Sequence, residues 1–214
     1  NDTINGGFGA DFIDGGAGNN TVSYFDTVPA ESDGFVGVTV DLQSGICFGW
    51  SAEGDFLSEI QNVIGSSRAD TLIGSAVANI IDGAGGQDVL EGGLGADTLI
   101  GGDGIDTALY IDSRTGVSVS LLTGLGHGGT AEGDHLSGIE NLEGSRFADV
   151  LEGDANNNTI HGDDGNDILV GGLGNDQLFG DAGNDTINGG AGADVIQGGA
   201  GNDTIFGDDG NDTI

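Results

Sequence analysis

Aspartate stands at every ninth position over the last quarter of the chain: Asp167, Asp176, Asp185, Asp194, Asp203 and Asp212. A carboxylate offers hard anionic oxygen, so a file of them suits either acid–base chemistry or the binding of a hard cation. A catalytic acid is singular in its surroundings. These residues all occupy the same place in the same nine-residue context, which favours the cation.

The context is plainest from Gly162 onward, where the chain reads GDDGNDILV, GGLGNDQLF, GDAGNDTIN, GGAGADVIQ, GGAGNDTIF and GDDGNDTI without a slip in register. The same unit recurs in 6–23 (GGFGADFID, GGAGNNTVS), in 65–109 (GAGGQDVLE, GGLGADTLI, GGDGIDTAL) and from Gly144. Each unit is a turn, G-G-x-G-x-D, followed by a short strand, x-U-x, with U large and aliphatic. The middle residue of such a strand faces opposite to its neighbours. Two units therefore make one coil with a strand in each of two parallel sheets and the U side chains between them. Leu151, Leu169, Ile187 and Ile205 are expected to form one inner column, and Ile160, Leu178, Ile196 and Ile214 the other.

Stacked coils bring the aspartates into columns: Asp149, Asp167, Asp185 and Asp203 on one edge, and Asn158, Asp176, Asp194 and Asp212 on the other. Parallel strands lie about 4.8 Å apart, so carboxylates on neighbouring turns would repel by roughly 3 kcal/mol per pair at an effective dielectric near 20. An ion midway between two turns would sit about 2.4 Å from each, within the range of calcium–oxygen bonds. Calcium takes six to eight oxygens, more than two aspartates supply. Glycine lets backbone carbonyls turn toward the ion and puts no Cβ in the way. Magnesium, with its smaller octahedron and tightly held water, fits worse.

Composition agrees. The chain holds 46 glycines in 214 residues and a single proline, which excludes collagen, proline-rich linkers and ordinary helical or α/β domains. Three arginines and no lysine stand against 36 acidic residues, for a formal charge of −33, which excludes nucleic acid as a partner. Cys47 is the only cysteine, so no intrachain disulfide forms, and its small side chain reads as a packing residue near Phe48 and Trp50. No run of eighteen apolar residues or signal-peptide pattern occurs, so no direct membrane insertion is expected. The chain opens on Asn1-Asp2-Thr3-Ile4 and closes on Asn211-Asp212-Thr213-Ile214, the same positions of the repeat, as expected for a segment of something longer.

These units resemble the repeats-in-toxin (RTX, hemolysin-type) calcium-binding nonapeptide, G-G-x-G-x-D-x-U-x, in more than a dozen copies. The resemblance implies an all-β parallel β-roll, a right-handed two-sheet β-helix with multiple Ca²⁺ ions in its turns. It also implies ligands: the repeat aspartate and backbone carbonyls from the first four positions of each loop. In the first roll, 1–23, these are Asp2, Gly7, Gly9 and Asp11. In the second, 65–109, they are Asp70, then Gly86 with Asp88, Gly93 and Gly95 with Asp97, and Gly102 and Gly104 with Asp106. The main roll, 144–214, contributes Asp149, Asp163 and Gly165 with Asp167, Gly172 and Gly174 with Asp176, and Asp181 and Gly183 with Asp185. It continues with Gly190 and Gly192 at Asp194, Gly199 and Gly201 at Asp203, and Asp208 and Gly210 at Asp212. Asn20, Asn79 and Asn158 replace the aspartate, and the loops GSSRAD, GSAVAN and GSRFAD lack the later glycine. Weak calcium binding, or starting turns held by packing, is expected there.

Two inserts, 24–64 and 110–143, break the repeat and copy each other: Tyr24…GVTVDLQSG…AEGDFLSEIQNV against Tyr110…GVSVSLLTG…AEGDHLSGIENL. Val38, Val40 and Leu42, like Val117, Val119 and Leu121, alternate as half-buried strands, and the inserts read as caps or spacers. Glu53 with Asp55 and Glu132 with Asp134 read as extra calcium ligands or solvated turns rather than a glycosidase pair. His127, His135 and His161 have no metal-helix spacing, and no H-E-x-x-H or G-x-S-x-G motif occurs, so no enzyme is expected.

By resemblance, the segment serves a secreted or cell-surface protein, exported from a Gram-negative bacterium by type 1 secretion and folding on calcium outside. An adhesin, surface-layer or filament parent is the leading reading. The alternative is the non-catalytic C-terminal module of a secreted hydrolase such as a serralysin-like peptidase or lipase. An ice-binding adhesin is disfavoured, because the third loop position (Phe8, Ala17, Leu94, Asp103, Leu173, Ala182) carries no threonine ladder. Self-association through Ile168, Val170, Phe179 and Phe206, or a surface or matrix partner, completes the expected contacts.

Overall fold

The computed structural model describes residues 1–25 and 37–214. Part of the first insert, 26–36, lies outside the described residues. Among the described residues, regular structure is all β apart from two short 3-10 turns, Trp50–Ala52 and Gly129–Ala131. Most strands are three residues long, since glycine-rich turns bound each x-U-x triplet. Two compact units are formed, Asn1–Thr107 and Ala108–Ile214.

In the first unit, one sheet runs Thr3–Ile4, Thr21–Ser23, Asn62–Ile64, Ile80–Asp82, Thr98–Ile100, all parallel. The other runs Phe12–Asp14, Phe56–Ser58, Ile46–Phe48, Thr39–Asp41, Thr71–Ser75, Val89–Gly93. Three of these six strands come from the insert. Phe56–Ser58 pairs parallel to Phe12–Asp14 and Thr39–Asp41 parallel to Thr71–Ser75, while Ile46–Phe48 lies antiparallel between them. The insert thus joins the sheet as a short meander.

The second unit repeats the plan. His135–Ser137, Leu125–His127 and Ser118–Ser120 form the meander, and Ser118–Ser120 hands on in parallel to Val150–Glu152, Ile168–Leu173, Thr186–Gly192 and Thr204–Gly210. The opposite sheet stacks Asn141–Glu143, Thr159–His161, Gln177–Phe179 and Val195–Gln197.

The U side chains make the core. Leu151, Leu169 and Ile187 are fully buried in one column and Ile160 and Leu178 in the other, paired in the register expected from the sequence. Ile205 is half-buried and Ile214 exposed. Cys47 occupies an inner position opposite Val40 and is fully buried, whereas Phe48 faces out. Ile60, Val63, Ile139 and Leu142 are buried as packing residues. This core is one aliphatic side chain thick on each side, so the loops at its edges must contribute to holding the coils together.

Candidate metal centre

Each loop delivers its sixth residue to the edge of the stack, and the structure shows what holds it there. The Asp149 amide donates to Oδ1 of Asp167 (2.8 Å), the Asp167 amide to Asp185 (2.9 Å) and the Asp185 amide to Asp203 (3.0 Å). On the other edge, the amides of Asn158, Asp176 and Asp194 reach Oδ1 of Asp176, Asp194 and Asp212 in the same way. In the first unit, Asp70 donates to Asp88, Asp88 to Asp106 and Asn79 to Asp97, each at 2.8 Å. The carboxylate columns are therefore also hydrogen-bond ladders, each rung tied to the next.

One oxygen of each carboxylate is spent on this ladder. The other, Oδ2, is sealed from water and has no hydrogen-bond donor at Asp88, Asp167, Asp176, Asp185 and Asp194. An anionic oxygen buried without a partner is strongly disfavoured unless a cation or a proton reaches it. Burial, reinforced by the neighbouring carboxylates, pushes Asp88 and Asp167 up to about 7 and Asp176 to about 6. Asp97 rises to about 6, and Asp106, Asp149, Asp163 and Asp185 are also raised, mainly by burial. Each column has gathered charge that the protein itself leaves unneutralised.

The surroundings fit calcium. Among the described residues, no three carboxylate, imidazole or thiol side chains converge on one point. With about one carboxylate per loop, further hard oxygen ligands would have to be backbone carbonyls and water, which calcium accepts. The glycines keep that space open. A Cβ on Gly180 would lie 2.5 Å from Oδ2 of Asp185, and one on Gly198 equally close to Asp203. At Gly190, φ is +99° and a Cβ would strike the carbonyl of Gly172 one coil below. The second loop position takes the same left-handed backbone even when it is Asp163, Asp181 or Asp208 (φ 62–64°), which aspartate tolerates better than most residues.

Comparison with known families gives the same answer. The model of the RTX calcium-binding nonapeptide repeat, in four copies, matches residues 1–23, 64–99, 73–108, 143–178 and 179–214, more than half of the chain. The chain belongs to this RTX repeat family. No individual curated protein matches it.

Not every RTX loop is alike. Asp70 and Asp149 have donors on both oxygens: Oδ2 accepts the amides of Ser66 (2.5 Å) and Ser145 (2.6 Å), and Oδ1 accepts the serine hydroxyls and the amides of Val38 and Val117. Asn79 and Asn158 donate their side-chain amides to the carbonyls of Gln61 and Glu140 on the preceding coil. Asp2 is exposed, and Asn20 accepts its amide (3.0 Å). The glycines named as carbonyl donors lie in the repeat loops, several of them where a strand runs on into the loop (Gly93, Gly172, Gly190, Gly192 and Gly210), and most have positive φ.

The solvated-turn reading of the paired carboxylates needs correction. Asp55 and Asp134 are 2% and 0% exposed. Asp55 takes the Asp11 amide on Oδ1 (2.8 Å), the ladder contact of a repeat aspartate although its sequence context is AEGD. Glu53 and Glu132 instead accept the amides of Gly49 and Gly128 at the start of the 3-10 turns. His161 stacks on Phe179 and lies 3.0 Å from Asp181. The sequence reading also missed a second ladder. Asn157, Asn166, Asn175 and Asn184, at the fifth loop position, accept amides from the following coil at 2.7–2.9 Å. Recurrence of N-D in the motif was the available clue.

Proposed function

We propose that this RTX segment is a calcium-triggered structural module of a secreted or cell-surface protein of adhesin, surface-layer or filament type, which folds after export. The observation that carries this reading is the row of buried, donorless Oδ2 atoms along the aspartate columns. In the absence of cations these oxygens repel one another and oppose stacking, and the chain, with a formal charge of −33, favours an expanded state. Bound calcium supplies positive charge and takes the oxygens that the ladder leaves over. The residues suited to hold it are Asp88, Asp167, Asp176, Asp185 and Asp194 with the glycine-rich loop carbonyls beside them. Folding and binding become one equilibrium.

Extracellular calcium modules bind at about 10⁻⁴–10⁻³ M, far above the calcium of a cytosol. A low-calcium interior would therefore keep the segment extended for export. The repeat series leaves every conspicuous acid of the rolls in a structural position, which supports a non-catalytic role. Circular dichroism tests the proposal: disorder is expected in chelator and cooperative strand formation in millimolar calcium, and a strand spectrum indifferent to calcium would overturn it.

A further inference from the structure

The aspartate columns carry a second kind of rung. In the rolls, Oδ1 of each aspartate holds the amide of the coil before it, while Oδ2 at Asp167, Asp176, Asp185 and Asp194 meets no donor. Asp55 keeps the first contact, to the Asp11 amide, but its Oδ2 accepts the hydroxyl of Tyr24 at 3.1 Å. The duplicated insert repeats the pairing, with the Tyr110 hydroxyl 3.4 Å from Oδ2 of Asp134. Both tyrosines and both aspartates are buried. The hydroxyl stands on the oxygen that in the rolls is left for a cation.

The first roll rung after each insert is satisfied in the same manner. Strand Thr39–Asp41 hands on to the coil of Asp70, and Ser118–Ser120 to that of Asp149. At both aspartates the serine four residues earlier donates its amide to one oxygen and its hydroxyl to the other. The loops that follow carry Asn79 and Asn158, neutral amides that donate to the preceding coil and need no counter-ion. Two independent copies thus show the same order: tyrosine-capped aspartate, serine-capped aspartate, asparagine, then aspartates with bare Oδ2.

We propose that the inserts are nuclei with a low calcium requirement, in which hydroxyl and amide donors of the chain stand in for the metal at the aspartates, and from which the calcium-dependent rolls propagate. This rests on the calcium reading above and goes beyond it: the inserts acquire order at lower calcium than the repeats, and further calcium sets how far the roll extends. Propagation from an existing rung costs less than starting one, because the edge strand already presents its amides and carbonyls to the next coil.

The chain supplies its own probes. Its two tyrosines, Tyr24 and Tyr110, and its single tryptophan, Trp50, all lie in the inserts. In a calcium titration of the full chain from chelator, near-ultraviolet dichroism and tryptophan fluorescence are expected to become native-like at a calcium midpoint at least about tenfold below that of the far-ultraviolet strand signal. Coincident midpoints overturn the inference while leaving calcium-dependent folding intact. A far-ultraviolet signal that ignores calcium overturns both.

Variants separate the two classes of rung. Asp185→Asn should raise the far-ultraviolet midpoint and leave the aromatic midpoint unchanged. Tyr110→Phe with Ser145→Ala removes two buried hydrogen bonds to carboxylates and should raise the far-ultraviolet midpoint about fivefold or more, the fold-change that goes with losing even one of them. Trp50 and Tyr24, in the other insert, should keep their own midpoint. If Asp185→Asn moves the aromatic signal as far as the strand signal, the inserts are not independent nuclei and the inference fails.

Discussion

At the scale of single residues, the repeat aspartate divides its labour. Oδ1 orders the neighbouring backbone through a directional hydrogen bond, and Oδ2 is buried beside carboxylates of the adjoining coils. With calcium on that second oxygen, as proposed, proton and calcium compete for it, and the sign of the pH effect follows. Asp88 and Asp167 are pushed up to about 7 in the metal-free fold, against about 3.9 in an unfolded chain. The metal-free roll binds more protons than the unfolded chain between those values, so it gains stability as pH falls from 7 toward 4. In chelator, strand content should therefore rise on mild acidification. Calcium binding, followed with a calcium electrode rather than by strand content, should reach half-saturation at higher free calcium at pH 5.5 than at pH 7.5, because protons occupy the ligands. A calcium midpoint that stays constant over this window would contradict the assignment of Oδ2 to the cation.

At the scale of the element, the coil is set by a three-residue strand and a six-residue turn, and the turn tolerates little. Gly190 combines φ of +99° with a Cβ direction that meets the Gly172 carbonyl. Gly190→Ala is expected to cost about 1–3 kcal/mol, measured as a drop in melting temperature at saturating calcium. An unchanged melt would show that the turns shift apart without cost. The inner columns and paired registers of 150–197 were legible in the sequence, since the period of nine fixes which residue of each strand faces in. The course of the inserts was not. Their alternation of Val38 with Val40 and Val117 with Val119 marks strands but not partners, and a meander that enters a parallel sheet leaves no periodic trace. Asp55 was singled out beside Glu53, but its place on the ladder was hidden because AEGD lacks the glycine spacing of the loop. Ser66 and Ser145 escaped because a serine at the second loop position looks like a neutral substitution until its amide is seen on the aspartate.

At the scale of the whole chain, sequence and structure bear on different parts of one balance. The formal charge of −33 is spread over a fold whose apolar columns are one side chain thick, so neither burial nor charge alone explains a folded state. On the proposed reading calcium joins them, turning the charge that opposes folding into the ligands that stabilise it. The ladder amides are the most direct reporters, because they hydrogen-bond to the very carboxylates in question. Amide hydrogen exchange of the full chain should show the N–H groups of Asp167, Asp176 and Asp185 protected in millimolar calcium and exchanging as in an unfolded chain at neutral pH in chelator. Equal protection of these amides in both conditions would contradict a calcium-held roll.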